Sequence, residues 1–435
     1  MTAPENQQRP VPGGWTRRGV IAGLLGAPVL LVAACDGRTG RVGGSGAGAG
    51  SDSASAAAGG GTGGGASASA DVTPTPKTSA AKITVSPADG STGASFGRPV
   101  TVTVADGRLT SVKLVDSTGE EISGRLASDG TGWTSTGQLG SGTRYRVSAV
   151  AVDGDGLAAD SDTRFATATP ADTFVGYFSP EDGSVVGVGM PVTIRFSRPV
   201  TNRKAVQQAI TVVADSGVEV VGHWFSSTRL DFRPESYWTK GTSVILRLRL
   251  KDVEGTDGVY GTQSRDVRFT VGRSQTSVAD LSADILTVTT DGRVTATYPI
   301  IGGSPQHRTW AGKLVISEQY QQTRMNSSTV GLGDEYDIPD VPHAQRLTTS
   351  GTFIHGNYWS PASAFGRSNT SHGCIALRDV KGAGDAGTNG AKFFRSSMVG
   401  DVVEVVNSGD RTVDPSNGLN GWNMSWADWK AGSAI

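Results

Sequence analysis

One turn-and-strand pattern occurs twice in this chain, and it restricts the possible fold more than any other feature. The stretch VSPADGSTGASFGRPVTVTV at 85–104 matches FSPEDGSVVGVGMPVTIRF at 178–196. Each copy has a Ser-Pro-x-Asp-Gly-Ser turn, a glycine-containing stretch and a Pro-Val-Thr strand start. Self-similarity of this kind indicates that one structural unit has been duplicated.

Both copies continue with strands in which apolar side chains alternate with polar ones. Tyr145, Val147 and Ala149 fall on one face in GTRYRVSAVAVDGDG, and GTSVILRLRLKD carries the equivalent leucines Leu246, Leu248 and Leu250. Period-two alternation over units of about 100 residues predicts two immunoglobulin-like β-sandwiches, at 83–170 and 171–273. The units contain no cysteine pair and no polar cluster, so we interpret them as spacers that support the next domain, with ligand binding as the alternative.

The first 35 residues are typical of an export signal. Arg9, Arg17 and Arg18 precede the apolar run GVIAGLLGAPVLLVAA and then Cys35. Small residues before this cysteine resemble a bacterial lipobox, which implies lipidation at Cys35 and an exported, membrane-anchored protein. A plain secretory signal is the alternative, and TRRGV resembles a twin-arginine signal.

A segment of low complexity follows the leader. Residues 36–82 consist largely of Gly, Ala and Ser, which cannot bury enough apolar surface to offset the entropy of ordering. We therefore expect a flexible linker.

Charge and cysteine content exclude other classes of protein. The 39 basic and 40 acidic residues give a net charge of −1 without a basic block, so nucleic acid is not an expected partner. Two cysteines in unrelated contexts do not form a disulfide framework.

The chemistry lies in the remaining region, 274–435. Strand-like runs ILTVTTDGRVTATYPI and GDVVEVVN predict a third, mainly β domain. GTFIHGNYW carries His355, and SNTSHGCIAL carries Cys374 nineteen positions later. A thiol becomes a competent nucleophile when an imidazole takes its proton, so the pair suits acyl transfer.

The histidine-glycine pair followed by SHGCI resembles the signature of the L,D-transpeptidases, whose catalytic domain is a YkuD-type β-sandwich. The order of segments resembles the mycobacterial-type lipoprotein branch of that family. This resemblance implies a mainly β chain with the catalytic domain at 274–408 and a Trp-rich C-terminal subdomain at 409–435. The family usually has Arg or Asn after SHGCI, whereas this chain has Ala376.

The resemblance also implies roles for the site residues. Cys374 is the nucleophile and His355 the base, with the carbonyl of Gly356 accepting the ring N–H of His355. The amides of His372, Gly373 and Cys374 form the oxyanion hole. We expect the side chain of His372 to pack or hydrogen-bond, with direct proton transfer as the alternative.

Four further residues are expected to contact substrate by the same resemblance: Met325, Tyr336, Asn357 and Ser371. The polar segment containing QYQQTRMNSSTVGLGDEYDIPD suits a lid over the cleft, or else an ordinary surface loop. The hydroxyl of Ser371 also suits a turn-stabilising role.

The C-terminal segment places Trp422, Trp426 and Trp429 at helical spacing. Docking of these rings onto the catalytic domain is favoured over stacking on sugars.

No cofactor and no metal are expected. His355, His372 and Cys374 are conceivable zinc ligands, but they lack a fourth ligand and a typical spacing.

The resemblance implies cross-linking of two diamino acids in peptidoglycan stem peptides, through a cysteine thioester that carbapenems also form. An L,D-carboxypeptidase, or a transferase that attaches a protein to peptidoglycan, remains an alternative. A sortase-like transpeptidase could use Arg378 or Arg395, but it lacks SHGC. A cysteine peptidase of the NlpC type has its Cys before its His, and a catalytically dead wall-binding protein does not need the intact motif.

Overall fold

The computed structural model describes residues 77–435, which form three β-rich regions in series. The leader and Cys35, as well as linker residues up to 76, lie outside the described residues. No helix within 77–435 is long and apolar enough to cross a membrane.

The first repeat folds into two four-stranded sheets. Its strands are β1 Lys82–Ser86, β2 Thr92–Ala94, β3 Thr101–Ala105, β4 Arg108–Asp116, β5 Gly124–Leu126, β6 Gly132–Ser135, β7 Arg144–Val152 and β8 Ala158–Thr167. The sheet orders are β1-β3-β6-β5 and β2-β8-β7-β4. Tyr145, Val147 and Ala149 are buried between them, which confirms the predicted face. Just before β1, Ala80 N donates to the side chain of Asp153 at 2.8 Å, so the chain contacts this sandwich before residue 82.

The second repeat has the same sandwich plan with a short helix. It comprises β9 Asp172–Phe174, β10 Gly176–Ser179, β11 Val185–Val186, β12 Val192–Phe196, α1 Arg203–Gln208, β13 Ile210–Ala214, β14 Val221–Ser226, β15 Arg229–Arg233, β16 Ser243–Arg249, β17 Glu254–Thr256, β18 Val259–Gly261 and β19 Ser264–Val271. The principal sheets are β10-β12-β15-β14 and β11-β19-β16-β13, and β17-β18-β9 form a small third sheet. Leu246, Leu248 and Leu250 are fully buried, as predicted.

The repeated Asp-Gly turn has the same structural role in both sandwiches. Asp89 accepts a hydrogen bond from the backbone N–H of Arg164 at 2.7 Å, and Asp182 accepts one from Arg268 at 2.8 Å. The glycine after each aspartate has a φ of 75° or 74°, a conformation that favours glycine. Each turn is thereby fixed to the last long strand of its own sandwich, which explains why the motif is present twice.

The third region contains one continuous nine-stranded sheet. Its elements are β20 Gln275–Asp280, β21 Ile285–Thr290, β22 Arg293–Ile301, β23 Gly312–Val315, β24 Glu318–Asn326, β25 Asp337–Arg346, β26 Phe353–Asn357, β27 Ile375–Arg378, α2 Asn389–Ser396, β28 Val402–Val406 and α3 Trp426–Ala431. The strand order is β23-β28-β20-β21-β22-β27-β26-β25-β24. The long strand β22 pairs with β21 along most of its length and with β27 only at Ile300 and Ile301. It thus connects the two halves of the catalytic β-fold.

The second sandwich and the third region share one hydrophobic core. Val315 and Val402 of the nine-stranded sheet belong to the same buried cluster as the core of the second repeat. Gly189 N donates to Gly400 O at 2.8 Å, and a Cβ on Gly189 would lie 2.3 Å from Val402 Cγ2. The glycine-rich stretch of the second repeat therefore lets its backbone lie directly against the catalytic sheet.

The C-terminal segment binds both regions, but its tryptophans dock on the second sandwich. Trp422 Nε1 donates to Gly189 O at 2.7 Å, and Trp429 Nε1 donates to Val221 O at 2.9 Å. The guanidinium of Arg233 lies over both indoles and over the half-buried Trp426. This corrects the prediction of docking onto the catalytic domain: helical spacing identified an apolar face but not its partner.

Asparagine side chains make the contact between this segment and the catalytic sheet. Asn420 is fully buried and accepts from Val315 N at 2.9 Å. Asn423 accepts from Lys313 N and donates to Lys313 O, each at 2.8 Å. The edge strand β23 is thus covered by amide groups, which satisfy its backbone.

Candidate active site

Two neighbouring parallel strands bring Cys374 and His355 together. Ile354 of β26 pairs with Ile375 of β27, and His355 pairs with Ala376. Cys374 comes directly before β27, at the end of the SHGC turn. Both side chains line one cavity of about 360 Å³, so the strand pairing supplies the proximity that chain separation alone does not show.

The imidazole of His355 is held in one tautomer. Its Nδ1 donates to the carbonyl oxygen of Gly356 at 2.8 Å, the hydrogen bond that the family resemblance implies, which leaves the Nε2 lone pair free to accept a proton. Burial lowers the pKa of His355, while the Gly356 carbonyl and the charge of Asp379 oppose that shift. His355 is therefore neutral at neutral pH, the state in which an imidazole can accept a proton.

The thiol of Cys374 is almost fully buried, with 9% of the residue exposed. Burial raises its pKa to about 11, against the opposing effects of the Phe353 N–H and the charge of Arg346. Phe353 N donates to Sγ at 3.4 Å, and Sγ donates weakly to Gly351 O at 3.7 Å. The resting site thus holds a neutral thiol and a neutral imidazole.

A buried polar network lies behind the base. A Cβ on Gly356 would be 2.2 Å from Asp379 Oδ2, so only glycine fits at this position. That carboxylate accepts from His343 Nδ1 at 2.7 Å, and its other oxygen accepts from Thr388 Oγ1 at 2.8 Å. Because each oxygen of Asp379 has a partner, the network fixes the backbone that orients His355.

The SHGC turn is shaped by its serine and glycine. Ser371 Oγ donates to Cys374 O at 2.6 Å and accepts from Gly373 N at 3.2 Å. Gly373 has a φ of 104°, in the left-handed region. The Ser371 hydroxyl therefore stabilises the turn. It also accepts the hydrogen bond of the Gly373 amide, which is one of the three amides expected in the oxyanion hole.

The other two amides, those of His372 and Cys374, donate to no group within residues 77–435. Both flank the left-handed Gly373 beside the thiol. Two unoccupied amides at this point suit a developing oxyanion.

The side chain of His372 contacts the hairpin tip and a neighbouring histidine. Its Nε2 lies 3.1 Å from Glu335 Oε2, and its ring centroid lies 5.0 Å from those of His307 and Tyr336. The ring of His372 therefore packs against two aromatic rings, as expected for a packing role, and lies within ion-pair distance of Glu335.

The predicted lid is a strand hairpin and not an irregular loop. Strands β24 and β25 pair along most of their length, and a 3-10 turn, Ser327–Val330, begins the hairpin tip. Ser327 Oγ donates to Gly333 O at 2.7 Å, which fixes the tip. Met325 and Tyr336 both line the cavity.

Asn357 also lines the cavity, but its amide is engaged locally. Its Oδ1 accepts from Trp359 N at 3.0 Å and Ser360 N at 2.9 Å, and its Nδ2 donates to Ser360 Oγ at 3.0 Å. Its polar atoms therefore organise the loop after His355 rather than project into the cavity.

An aromatic wall lies beside His355 and was not predicted from the sequence. Trp359 stacks on His355 with centroids 5.8 Å apart and an interplanar angle of 20°. The cavity lining also includes Ile301 and the fully buried Ala376, which pairs with His355 across the sheet. The aromatic pair in GNYW, directly after His355, was the sequence signal that could have identified Trp359. Ile301 is far from the site motifs in the sequence, and no sequence signal identified it.

The three residues considered as zinc ligands, His355, His372 and Cys374, do not form a converging ligand group in residues 77–435. The group that does converge contains His372 with His307 and Glu335 instead. A buried thiol beside a neutral imidazole and free amides defines a cysteine-dependent acyl-transfer site.

Comparison with known proteins agrees with this class. A family model described as the L,D-transpeptidase catalytic domain (YkuD) matches residues 274–405, and one described as a bacterial Ig domain matches residues 91–254. L,D-transpeptidase 2 of Mycobacterium tuberculosis (strain CDC 1551 / Oshkosh) is 36% identical over 358 residues, covering 81% of this chain and 85% of the relative. L,D-transpeptidase 5 of M. tuberculosis (strain ATCC 25618 / H37Rv) is 32% identical over 363 residues, covering 82% and 78%.

A solved structure described as LD transpeptidase LdtMt1 in complex with imipenem is 31% identical, with a TM-score of 0.45 over 53% of this chain and 97% of that chain. The chain belongs to the L,D-transpeptidase family. It combines the YkuD catalytic domain with bacterial immunoglobulin-like domains and is an acyltransferase.

Proposed function

We propose that this chain is an exported enzyme that cross-links peptidoglycan through the thiol of Cys374. As the thiol attacks the carbonyl of the diamino acid at position three of a tetrapeptide stem, His355 Nε2 takes its proton. The C–N bond to the terminal D-Ala then breaks, and His355 returns the proton to the leaving amine. The product is a thioester on Cys374.

In the second half-reaction, His355 takes a proton from the acceptor amine, and Cys374 is the leaving group. The side-chain amine of a neighbouring stem attacks the thioester, gives a proton to His355 and forms the new amide. The proton then returns to the thiolate as the C–S bond breaks. Water in place of the amine would give a carboxypeptidase product, and an amine on a protein would give protein attachment.

The surrounding residues have distinct roles in this scheme. The amides of His372 and Cys374 stabilise the oxyanion, while Met325 and Tyr336 contact the stem peptide. Removal of a single oxyanion donor costs about 10² to 10³ in rate in other acyl-transfer sites. The amide of Gly373 has a weaker part here, because the Ser371 hydroxyl occupies it.

The observation that carries the proposal is the tautomer of His355. Nδ1 is bound to the Gly356 carbonyl, so Nε2 is the nitrogen that can accept a proton, and His355 lines the cavity that also contains Cys374. A merely structural histidine would not need that free lone pair beside a thiol.

Mass spectrometry of the full chain incubated with tetrapeptide muropeptides tests the proposal. We expect cross-linked dimers, with loss of D-Ala, and no product from Cys374→Ala. Tripeptide alone would indicate carboxypeptidase activity, and product from Cys374→Ala would remove Cys374 from the mechanism. A carbapenem, the ligand class of the imipenem-bound relative, serves as an acylation probe because it should add its mass to wild type only.

Export with a lipid anchor at Cys35 completes the proposal. The supporting feature is the arginine-containing leader and apolar run before Cys35. The mature N-terminus should be a diacylglyceryl-modified Cys35, detectable by mass spectrometry of the membrane fraction. A mature protein that is released into the medium with unmodified Cys35 would show a plain secretory signal.

A further inference from the structure

Three potential metal ligands converge at the rim of the active-site cavity. Glu335 Oε2 lies 3.3 Å from His307 Nε2 and 3.1 Å from His372 Nε2. The three ligand atoms all lie within 4.8 Å of one another. They come from three separate segments of the chain, so no short sequence motif predicts the group.

The spacing matches what a small divalent ion requires. Zinc binds imidazole nitrogen and carboxylate oxygen at about 2.0 to 2.2 Å, which places tetrahedral ligand atoms about 3.3 to 3.5 Å apart. The two measured N–O distances are already close to these values. The two imidazole nitrogens need to approach by at most about 1.5 Å to complete the same geometry.

Two of the ligands lie on loops that are fixed to each other. Ser304 N donates to Ser371 O at 2.8 Å, and Ser371 N donates to Gly302 O at 3.0 Å. These bonds join the loop that carries His307 to the turn that carries His372. The imidazoles therefore form a preorganised pair, whereas Glu335 belongs to the tip of the hairpin.

Solvent reaches all three side chains. His307, Glu335 and His372 are 29%, 41% and 38% exposed, so an ion has an entry path and a water molecule can take the fourth position. Two imidazoles with one carboxylate favour zinc and similar transition metals over magnesium or calcium, which prefer oxygen ligands.

We propose that His307, Glu335 and His372 form a zinc-class divalent cation site, which fixes the hairpin tip against the SHGC turn. The neighbouring Tyr336 lines the cavity beside Cys374 and packs on the ring of His372. Metal occupancy thereby holds this wall of the cavity in place. The three ligand side chains do not include Cys374 or His355, so the ion does not replace either group in acyl transfer.

Calorimetric titration of the full, untagged chain with Zn²⁺ tests the site. A Cys35→Ser, Cys374→Ala background removes both thiols, which also bind zinc. We expect one ion per chain and a Kd that rises by about 10- to 100-fold or more in Glu335→Gln and His307→Ala. Asp334→Asn is the matched control, because it removes a neighbouring charge on the same hairpin tip but no ligand.

Thermal unfolding gives a second readout in the same proteins. An ion that binds only the folded state raises Tm, so zinc should raise Tm in the background chain and in Asp334→Asn but not in Glu335→Gln. Absence of saturable binding in the background chain would overturn the proposal. Equal weakening in Asp334→Asn, or unchanged affinity in Glu335→Gln, would do the same.

Discussion

At the scale of single residues, the structure separates the two histidines near the thiol. His372 is two positions from Cys374 in the chain, yet its ring interacts with Glu335. His355 is distant in sequence but lies on the adjacent strand, with its basic nitrogen unoccupied by the Gly356 bond. The part of His372 assigned to catalysis is its amide, which substitution by any residue other than proline leaves in place.

Replacement of each histidine by asparagine should therefore give different pH profiles. His355→Asn should slow carbapenem acylation by about 10² to 10⁴ at neutral pH, the usual contribution of a positioned base. The rate should recover about tenfold per pH unit toward the thiol pKa of about 11, because thiolate then forms without a base. His372→Asn should cost less and show no such recovery.

The wild-type profile follows from the sign of the His355 shift. Because burial lowers the pKa of His355, the base stays neutral across neutral pH, and acylation should fall only when acid protonates it below its ordinary pKa. Stopped-flow acylation rates of the three folded proteins check this. A larger, pH-rescued defect in His372→Asn would reverse the assignment of the two roles.

At the scale of single residues, the sequence motif predicts which residues lie at the site but not the contacts that hold them there. SHGC with an upstream His-Gly singled out Cys374 and His355 as the proposed nucleophile and base, and Gly356 as the hydrogen-bond partner of His355. It could not reveal that Asp379 requires Gly356 to be glycine, because that carboxylate arrives from the next strand. Contacts between segments are properties of the fold, and no local spacing encodes them.

At the scale of elements, the junction between β28 and the second sandwich contains a buried carboxyl group, that of Asp401. Asp401 is 1% exposed and pairs with Arg273 Nη2 at 2.9 Å, but its Oδ1 has no partner within the described residues. Burial raises the pKa of Asp401 to about 6, against the opposing charge of Arg273. The folded state therefore holds this proton more tightly than the unfolded chain does.

The pH dependence of stability at this junction has a defined sign. A carboxyl with a raised pKa stabilises the fold when protonated, and this contribution is lost as pH rises from about 4 to about 6. The loss is on the order of 3 kcal/mol. Asp401→Asn, which cannot ionise, should gain about 2 to 3 kcal/mol relative to wild type between pH 4.5 and 7. Denaturant unfolding of both proteins at the two pH values measures it, and a pH-independent difference would show that Asp401 titrates normally.

The sequence largely predicted which segments form strands, but it did not predict which strands pair with each other. Alternation in the repeats identified buried faces such as Leu246 and Leu248 because period two is a local property. The sequence of β24 and β25 indicated a loop because polar residues outnumber apolar ones there, although Met325 and Val341 are buried in a small apolar cluster with Cys374. The segment forms a hairpin because β24 pairs with β25, and β25 pairs with β26 of the nine-stranded sheet.

At the scale of the whole molecule, the C-terminal segment 409–435 connects the second sandwich, through the tryptophans, to the catalytic sheet, through Asn420 and Asn423. Trp429 is fully buried against His223, with ring centroids 4.9 Å apart, whereas Trp426 is only half-buried. Trp429→Ala should lower the free energy of unfolding by about 3 to 5 kcal/mol, the usual cost for a buried tryptophan. Trp426→Ala, the matched control, should cost about 1 kcal/mol or less. Equal effects in chemical denaturation would show that α3 is not anchored through Trp429.

The shared core also determines which part of the chain can fold alone. A fragment of residues 274–435 exposes Val315, Val402 and Trp422, which are buried against the second sandwich in the full chain. We therefore expect it to be insoluble or to unfold without a cooperative transition, whereas residues 171–435 should unfold cooperatively and retain carbapenem acylation. In the full chain, Gly189→Ala tests the same contact without truncation. Its Cβ would meet Val402 at 2.3 Å, so it should cost about 1 to 3 kcal/mol, while Gly384→Ala, which meets open space, should not. If the shorter fragment folds with the same acylation rate as residues 171–435, the second sandwich is a spacer and not a structural half of the enzyme.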